Sequence, residues 1–164
     1  MEQLSFIQFK GPKGSSSNKI AKKQMYIDGA SRSNPGPSGA GIFIKTEDKP
    51  KELSYFLGHQ TNNQAEYLAL VLGLLHLKKG SLKIISDSLL LVRQIKGEYK
   101  VRNENIKNIY LFAVKLLENF DYTIVHVLRE KNKDADRLAN IAIDKKVKLP
   151  NETKKQLLDN NIKI

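Results

Sequence analysis

Three strand-like runs, at 24–28, 39–46 and 51–57, follow one another with only turn residues between them and before any helical pattern. Connections this short join neighbouring strands antiparallel, because a parallel return needs a crossover of a dozen residues or more. The period then changes. Over 62–79, Ala65, Leu68, Ala69, Leu72 and Leu75 recur at helical spacing, with asparagines at the start as caps. A short apolar strand at 82–86, helices at 88–96 and 103–120, an alternating strand at 122–128 and a helix at 132–145 follow. A meander followed by alternating helices and strands predicts an α/β fold, a mixed sheet with helices packed on its faces.

The flanks read differently. Residues 11–23 are rich in Gly, Ser and Lys and carry no sustained apolar period, which marks a linker. The expected organisation is a basic N-terminal tail and linker at 1–23, one folded domain at 24–148, and a basic C-terminal tail at 149–164, whose residues after Pro150 form either a short helix around Leu157 and Leu158 or a disordered tail. The formal charge is +11, and most of it lies in the flanks: five Lys against one Glu in 1–23, six Lys against two acids in 145–164. Such a balance predicts a polyanionic partner, since Lys and Arg that neutralise phosphates release condensed counterions. The chain has no cysteine, which excludes a disulfide framework and a thiolate zinc site. No apolar run has the length of a signal peptide or a membrane span, so the expectation is a soluble, cytoplasmic protein with no membrane association. Nothing marks an obligate protein partner.

Four acids stand out by position. Asp28 is expected at a strand end, before a Gly- and Pro-rich stretch whose glycines would let backbone amides approach a sugar–phosphate chain; its competing role is to satisfy its own turn. Glu66 lies early in the main helix, where it either serves a site or completes a capping box with Asn63. Asp87 follows the apolar run LKIIS, at the carboxyl end of a buried strand where α/β sheets place ligand sites, and it also stands where a helix N-cap would. Asp136 falls near the apolar face of Ala135, Ala139 and Ile143, whereas Asp134, about 200° away around the helix, looks to solvent or to the helix N-terminus.

Taken in order, the blocks DGASRSNPGP, TNNQAEY, ISDS and NKDADRLAN resemble the four signature blocks of the type 1 ribonuclease H family, over about residues 24–145. The resemblance implies a five-stranded mixed sheet with flanking helices, and it implies that Asp28, Glu66, Asp87 and Asp136 are the metal-binding, catalytic carboxylates. It further implies hydrolysis of the RNA strand of an RNA–DNA hybrid with two Mg²⁺ ions, or Mn²⁺ in their place, leaving 5′-phosphate and 3′-hydroxyl ends. Hard divalent cations prefer such oxygen ligands, and a pair of them can activate water and stabilise the leaving oxygen. By the same resemblance Gly29, Ser31 and Asn34 lie near the RNA strand, Asn62 and Asn63 near the minor groove, and Thr61 near a DNA phosphate.

The chain also departs from that pattern. Only residues 128–131 separate the last strand from the last helix, so there is no extended loop for a catalytic His; His126 belongs to the strand, and Arg129 is the one candidate auxiliary group there. His59 and His76 have no partner at metal-ligand spacing. Leu89 stands where many relatives have a Gln reading the minor groove, and a basic substrate-handling helix is missing between Lys96 and Asn103, with Lys96, Lys100 and Arg102 left to replace part of its charge. Two other readings compete: a non-catalytic hybrid-binding domain, and another nuclease of the same fold. The first must explain why four mutually repelling acids are kept. The second does not predict NPGP, TNNQAE and ADRLA together.

Overall fold

The computed structural model describes residues 23–164, and the expected elements appear in the expected order. Strands β1 (Lys23–Ser31), β2 (Gly36–Lys45) and β3 (Lys51–Gln60) precede helix α1 (Asn62–His76). Strand β4 (Gly80–Ser86), helices α2 (Leu89–Ile95) and α3 (Glu104–Leu117), strand β5 (Phe120–His126), and helices α4 (Lys133–Lys145) and α5 (Asn151–Asp159) follow. The sheet has five strands in the order β3-β2-β1-β4-β5. The short connections give the antiparallel pairs β1–β2 and β2–β3, and the helical crossovers give the parallel pairs β1–β4 and β4–β5. The mixed sheet read from the sequence is the one observed.

Strand alternation sorts the central residues between two helical layers. Met25 and Ile27, paired with Ile44 and Ile42, are fully buried on the side of α1, whose Gly73 packs against Met25 and Ile42. Asp28 and its cross-strand partner Gly41 point the other way, toward α4. There a side chain has no room: a Cβ on Gly41 would lie 2.1 Å from the carbonyl oxygen of Ala135 and 2.4 Å from the amide nitrogen of Ala139. The small face of α4, Ala135, Ala139 and Ala142, all fully buried, completes this close approach.

Three expectations change. The Gly- and Pro-rich stretch is mostly strand: pairing continues from Asp28–Gly41 to Ser31–Ser38, so Asp28 lies inside β1 and its glycines admit helices. Lys23, assigned to the linker, already belongs to β1, and the rest of that linker lies outside the described residues. The segment from residue 149 packs into the domain rather than forming a separate tail, and of its two readings the helical one is observed: Leu149, Leu157 and Ile162 are buried in the same core cluster as Leu57 and Ile109. Before it, the Val147 carbonyl accepts from the Phe56 amide at 2.7 Å, covering part of the free edge of β3. Helix α4 ends where Lys146 takes the left-handed conformation (φ 46°) as its C-cap, and Pro150 then opens α5 as its N-cap residue.

Candidate active site

Register decides where the acids meet. Strands β1 and β4 run parallel and their last pair is Ile27–Ser86, so Asp28 and Asp87 are the next residues of adjacent strands at the same end of the sheet. Glu66 reaches them from α1, held by the Gly29 amide, which donates to Glu66 Oε1 at 3.1 Å. Carboxylate oxygens of Asp28, Glu66 and Asp87 lie within 4.8 Å of one another. Asp136, from α4, lies outside that trio but near enough for its charge to raise the Asp28 carboxyl.

The competing local roles belong to other residues. Thr61 and Gln64 form the capping box of α1, with Gln64 N donating to Thr61 Oγ1 at 3.1 Å and Thr61 N donating to Gln64 Oε1 at 2.8 Å, so neither Glu66 nor Asn63 is needed there. Ser88, not Asp87, caps α2 by accepting from the Leu91 amide at 3.2 Å. Asp134 is exposed and paired with Arg137 at 3.2 Å, as the helical geometry implies.

Gathering these acids is electrostatically costly. Burial first, then the charges of Asp87 and Asp136, push the Asp28 carboxyl up to about 8. Burial also raises Glu66 well above the usual carboxylate range, reinforced by Asp28 and Asp87 and opposed by the Gly29 amide. Arg129, although exposed, is close enough to pull both groups back toward the charged form. A set of converging carboxylate oxygens with raised proton affinity suits a hard divalent cation, which would neutralise the repulsion that protons otherwise relieve.

The residues expected to meet substrate line the same end of the sheet, each with a local bond of its own. Ser31 Oγ lies 3.0 Å from the Gln60 carbonyl and also contacts the Ser33 carbonyl. Asn34 Oδ1 accepts from the Asn62 amide at 3.0 Å, tying the β1–β2 turn to the start of α1. Asn62 and Asn63 are exposed at that helix start. His126 ends β5 opposite Ser86 and is exposed, and His59 and His76 are exposed elsewhere. The segment between α2 and α3 is pinned: buried Gln94 donates to the Lys100 carbonyl at 3.1 Å and accepts from the Tyr67 hydroxyl at 2.9 Å.

One site residue escaped the sequence reading. Asn132 is 1% exposed, and its Nδ2 donates to the Ile27 carbonyl at 2.9 Å and to Asp87 Oδ2 at 3.2 Å. The available signal was an asparagine just before a helix, four residues from Asp136, which on local grounds reads only as a cap.

The chain's relatives fit this geometry. The family described as Reverse transcriptase-like matches residues 26–142. A bifunctional protein of Mycobacterium tuberculosis (strain ATCC 25618 / H37Rv) is 38% identical over 124 residues, covering 71% of this chain and 34% of the mycobacterial protein. The chain thus spans about a third of that relative's length. Ribonuclease H of Coxiella burnetii (strain Dugway 5J108-111) is 33% identical over 140 residues, covering 76% of this chain and 91% of its own. Among solved structures, LC11-RNase H1 in complex with RNA/DNA hybrid superposes with a TM-score of 0.70 at 36% identity, covering 76% of this chain and 99% of that one.

Proposed function

Because the chain belongs to the type 1 ribonuclease H family, we propose that it is an endonuclease hydrolysing the RNA strand of RNA–DNA hybrids, with 5′-phosphate and 3′-hydroxyl products. The convergence of Asp28, Glu66 and Asp87 within 4.8 Å, with Asp136 beside Asp28, carries this reading. In it the four carboxylates hold two Mg²⁺ ions, with Mn²⁺ able to take their place. Bound there, the ions supply Lewis acidity for the attacking water and charge stabilisation for the leaving oxygen.

The chain's own groups do the rest. Gly29 acts through packing, since its amide is engaged by Glu66 and the missing side chain is what admits α1. Asn34 uses its Oδ1 on Asn62 and keeps its Nδ2 donors for the RNA strand, with Ser31 beside it. Thr61 accepts from Gln64 and keeps its hydroxyl proton for a DNA phosphate. Asn62 and Asn63 face the minor groove, where the 2′-hydroxyl distinguishes RNA from DNA. Arg129 lends positive charge next to the scissile phosphate.

No helix among the described residues is long and apolar enough to cross a membrane. A chain without cysteine suits a reducing compartment, and the cytoplasm is the proposed place of action. The deciding assay incubates the protein with labelled RNA–DNA hybrid, duplex DNA, duplex RNA and single strands, with and without Mg²⁺ or Mn²⁺. Internal, metal-dependent cuts in the RNA of the hybrid are expected. Binding without cutting would establish a hybrid-binding domain instead, and equal cutting of duplex DNA would establish a different nuclease.

A further inference from the structure

We propose that Asn132 is a positioning residue for this site, orienting the Asp87 carboxylate and locking the helix that carries Asp136 to the strand that carries Asp28. The proposal rests on the hydrolytic reading above and adds a residue to it.

The observations are geometric. Asn132 occupies the N-cap position of α4, where an asparagine side chain ordinarily accepts from the helix's first amides, yet it makes no such bond. Its side chain turns instead to the sheet, where Nδ2 bonds the Ile27 carbonyl at 2.9 Å and Asp87 Oδ2 at 3.2 Å. Both partners are acceptors, so only the NH₂ end of the amide can face them, and its orientation is set. Meanwhile the Asn132 carbonyl accepts the Asp136 amide at 3.1 Å. One residue therefore touches β1 next to Asp28, Asp87 itself, and the first turn beneath Asp136.

Packing alone does not account for it. Asn132 Oδ1 is buried with no hydrogen-bond partner among the described residues, while an apolar residue here would leave the Ile27 carbonyl and Asp87 without their donor. What the amide supplies is one donor to the Asp87 carboxylate, from an NH₂ group that also bonds the Ile27 carbonyl, and a fixed polar neighbour of this kind is how metal-binding acids are oriented.

The experiment compares the full-length parent and Asn132→Ala. Hybrid cleavage is measured in Mg²⁺, binding of Mn²⁺ alone by calorimetry, and folding by metal-free melting. For the folded variant, kcat should fall and Mn²⁺ affinity weaken, each by roughly 10–100-fold, while KM for hybrid stays within about twofold because no substrate contact is lost. A purely structural role lowers the melting temperature but leaves kcat and Mn²⁺ affinity at parental values, and that result overturns the proposal. If Asn132→Ala does not fold, the parent still decides. The Asn132 side-chain amide resonance should shift on addition of Mg²⁺ to the parent and stay fixed in Asp87→Asn; a signal indifferent to Mg²⁺ in the parent refutes the role. A parent that does not cleave hybrid defeats the functional reading instead, and the Mn²⁺ and amide measurements then judge Asn132 by themselves.

Discussion

Gly29 and Glu66 are joined by a 3.1 Å hydrogen bond from the strand amide to the helix carboxylate, at a point where the strand has no room for a side chain. A Cβ on Gly29 would lie 2.2 Å from the carbonyl carbon of Ala65 and 2.4 Å from the Glu66 amide nitrogen. These are backbone atoms, so relief requires moving α1 as a body. The glycine and the position of the carboxylate are thus one feature.

Gly29→Ala should therefore displace α1 and Glu66 together, costing about 1–3 kcal/mol of stability as well as most of the cleavage activity. Urea denaturation and hybrid cleavage measured on the same preparation test this. A parental unfolding midpoint in the variant would mean that α1 can yield.

Acid repulsion makes metal-free stability depend on pH in a definite direction. The folded Asp28 carboxyl is pushed from 3.8 to about 8, so between these values the native state holds a proton that the unfolded chain has released. Stability must then fall as pH rises through this window, with Glu66 acting in the same direction. Melting in chelator from pH 5 to 8 should show the decline. Asp28→Asn should flatten it, abolish hybrid cleavage, and reduce the extra stability conferred by Mg²⁺. An active Asp28→Asn protein would overturn the mechanism.

The start of α1 separates two roles that share a short sequence. Thr61→Ala removes the capping box and should cost about 1 kcal/mol, together with a rise in KM for hybrid. Asn63→Ala, at an exposed position outside that box, should raise KM while leaving the melting temperature unchanged. Steady-state kinetics beside thermal melts distinguish them. Equal loss of stability in both would assign Asn63 to the helix rather than to substrate.

The C-terminal segment is predicted to be structural. Leu157 is 1% exposed, so Leu157→Ala should cost roughly 2–5 kcal/mol by loss of buried volume. Ending the chain at Leu149 should do more, since it also removes Ile162 and the Lys163 carbonyl that Gln60 reaches at 3.5 Å. Chemical denaturation measures both. A truncated protein of parental stability would restore the simple reading of a basic tail.

Much of the fold was legible because it depends on short-range pattern, whereas the four acids were singled out together only by the resemblance of their motif blocks to a family. Alternation and 3.6-residue spacing identify strands and helices, short connections force the meander, and the motif blocks set Asp28 in β1, Glu66 in α1, Asp87 just past β4 and Asp136 in α4. The capping box was not: the sequence pointed to Asn63 and Glu66, while Thr61 and Gln64, at the same spacing, form it, and nothing local chose between the two pairs.

What only the tertiary structure decided involves residues far apart in the chain. Ile27 and Asn132 are separated by 105 positions, Asp87 and Asn132 by 45, Gly29 and Glu66 by 37. The parallel register of β1 and β4 sets Asp28 beside Asp87, and helix docking turns glycines that read as a turn into contact points for α1 and α4. The C-terminal lysines left helix and tail both open for the last segment, and the core that receives Leu149, Leu157 and Ile162 decides for the helix. Local sequence determines which face of an element is apolar or acidic; which face it meets is settled by packing, where burial and excluded volume act between residues the pattern cannot connect.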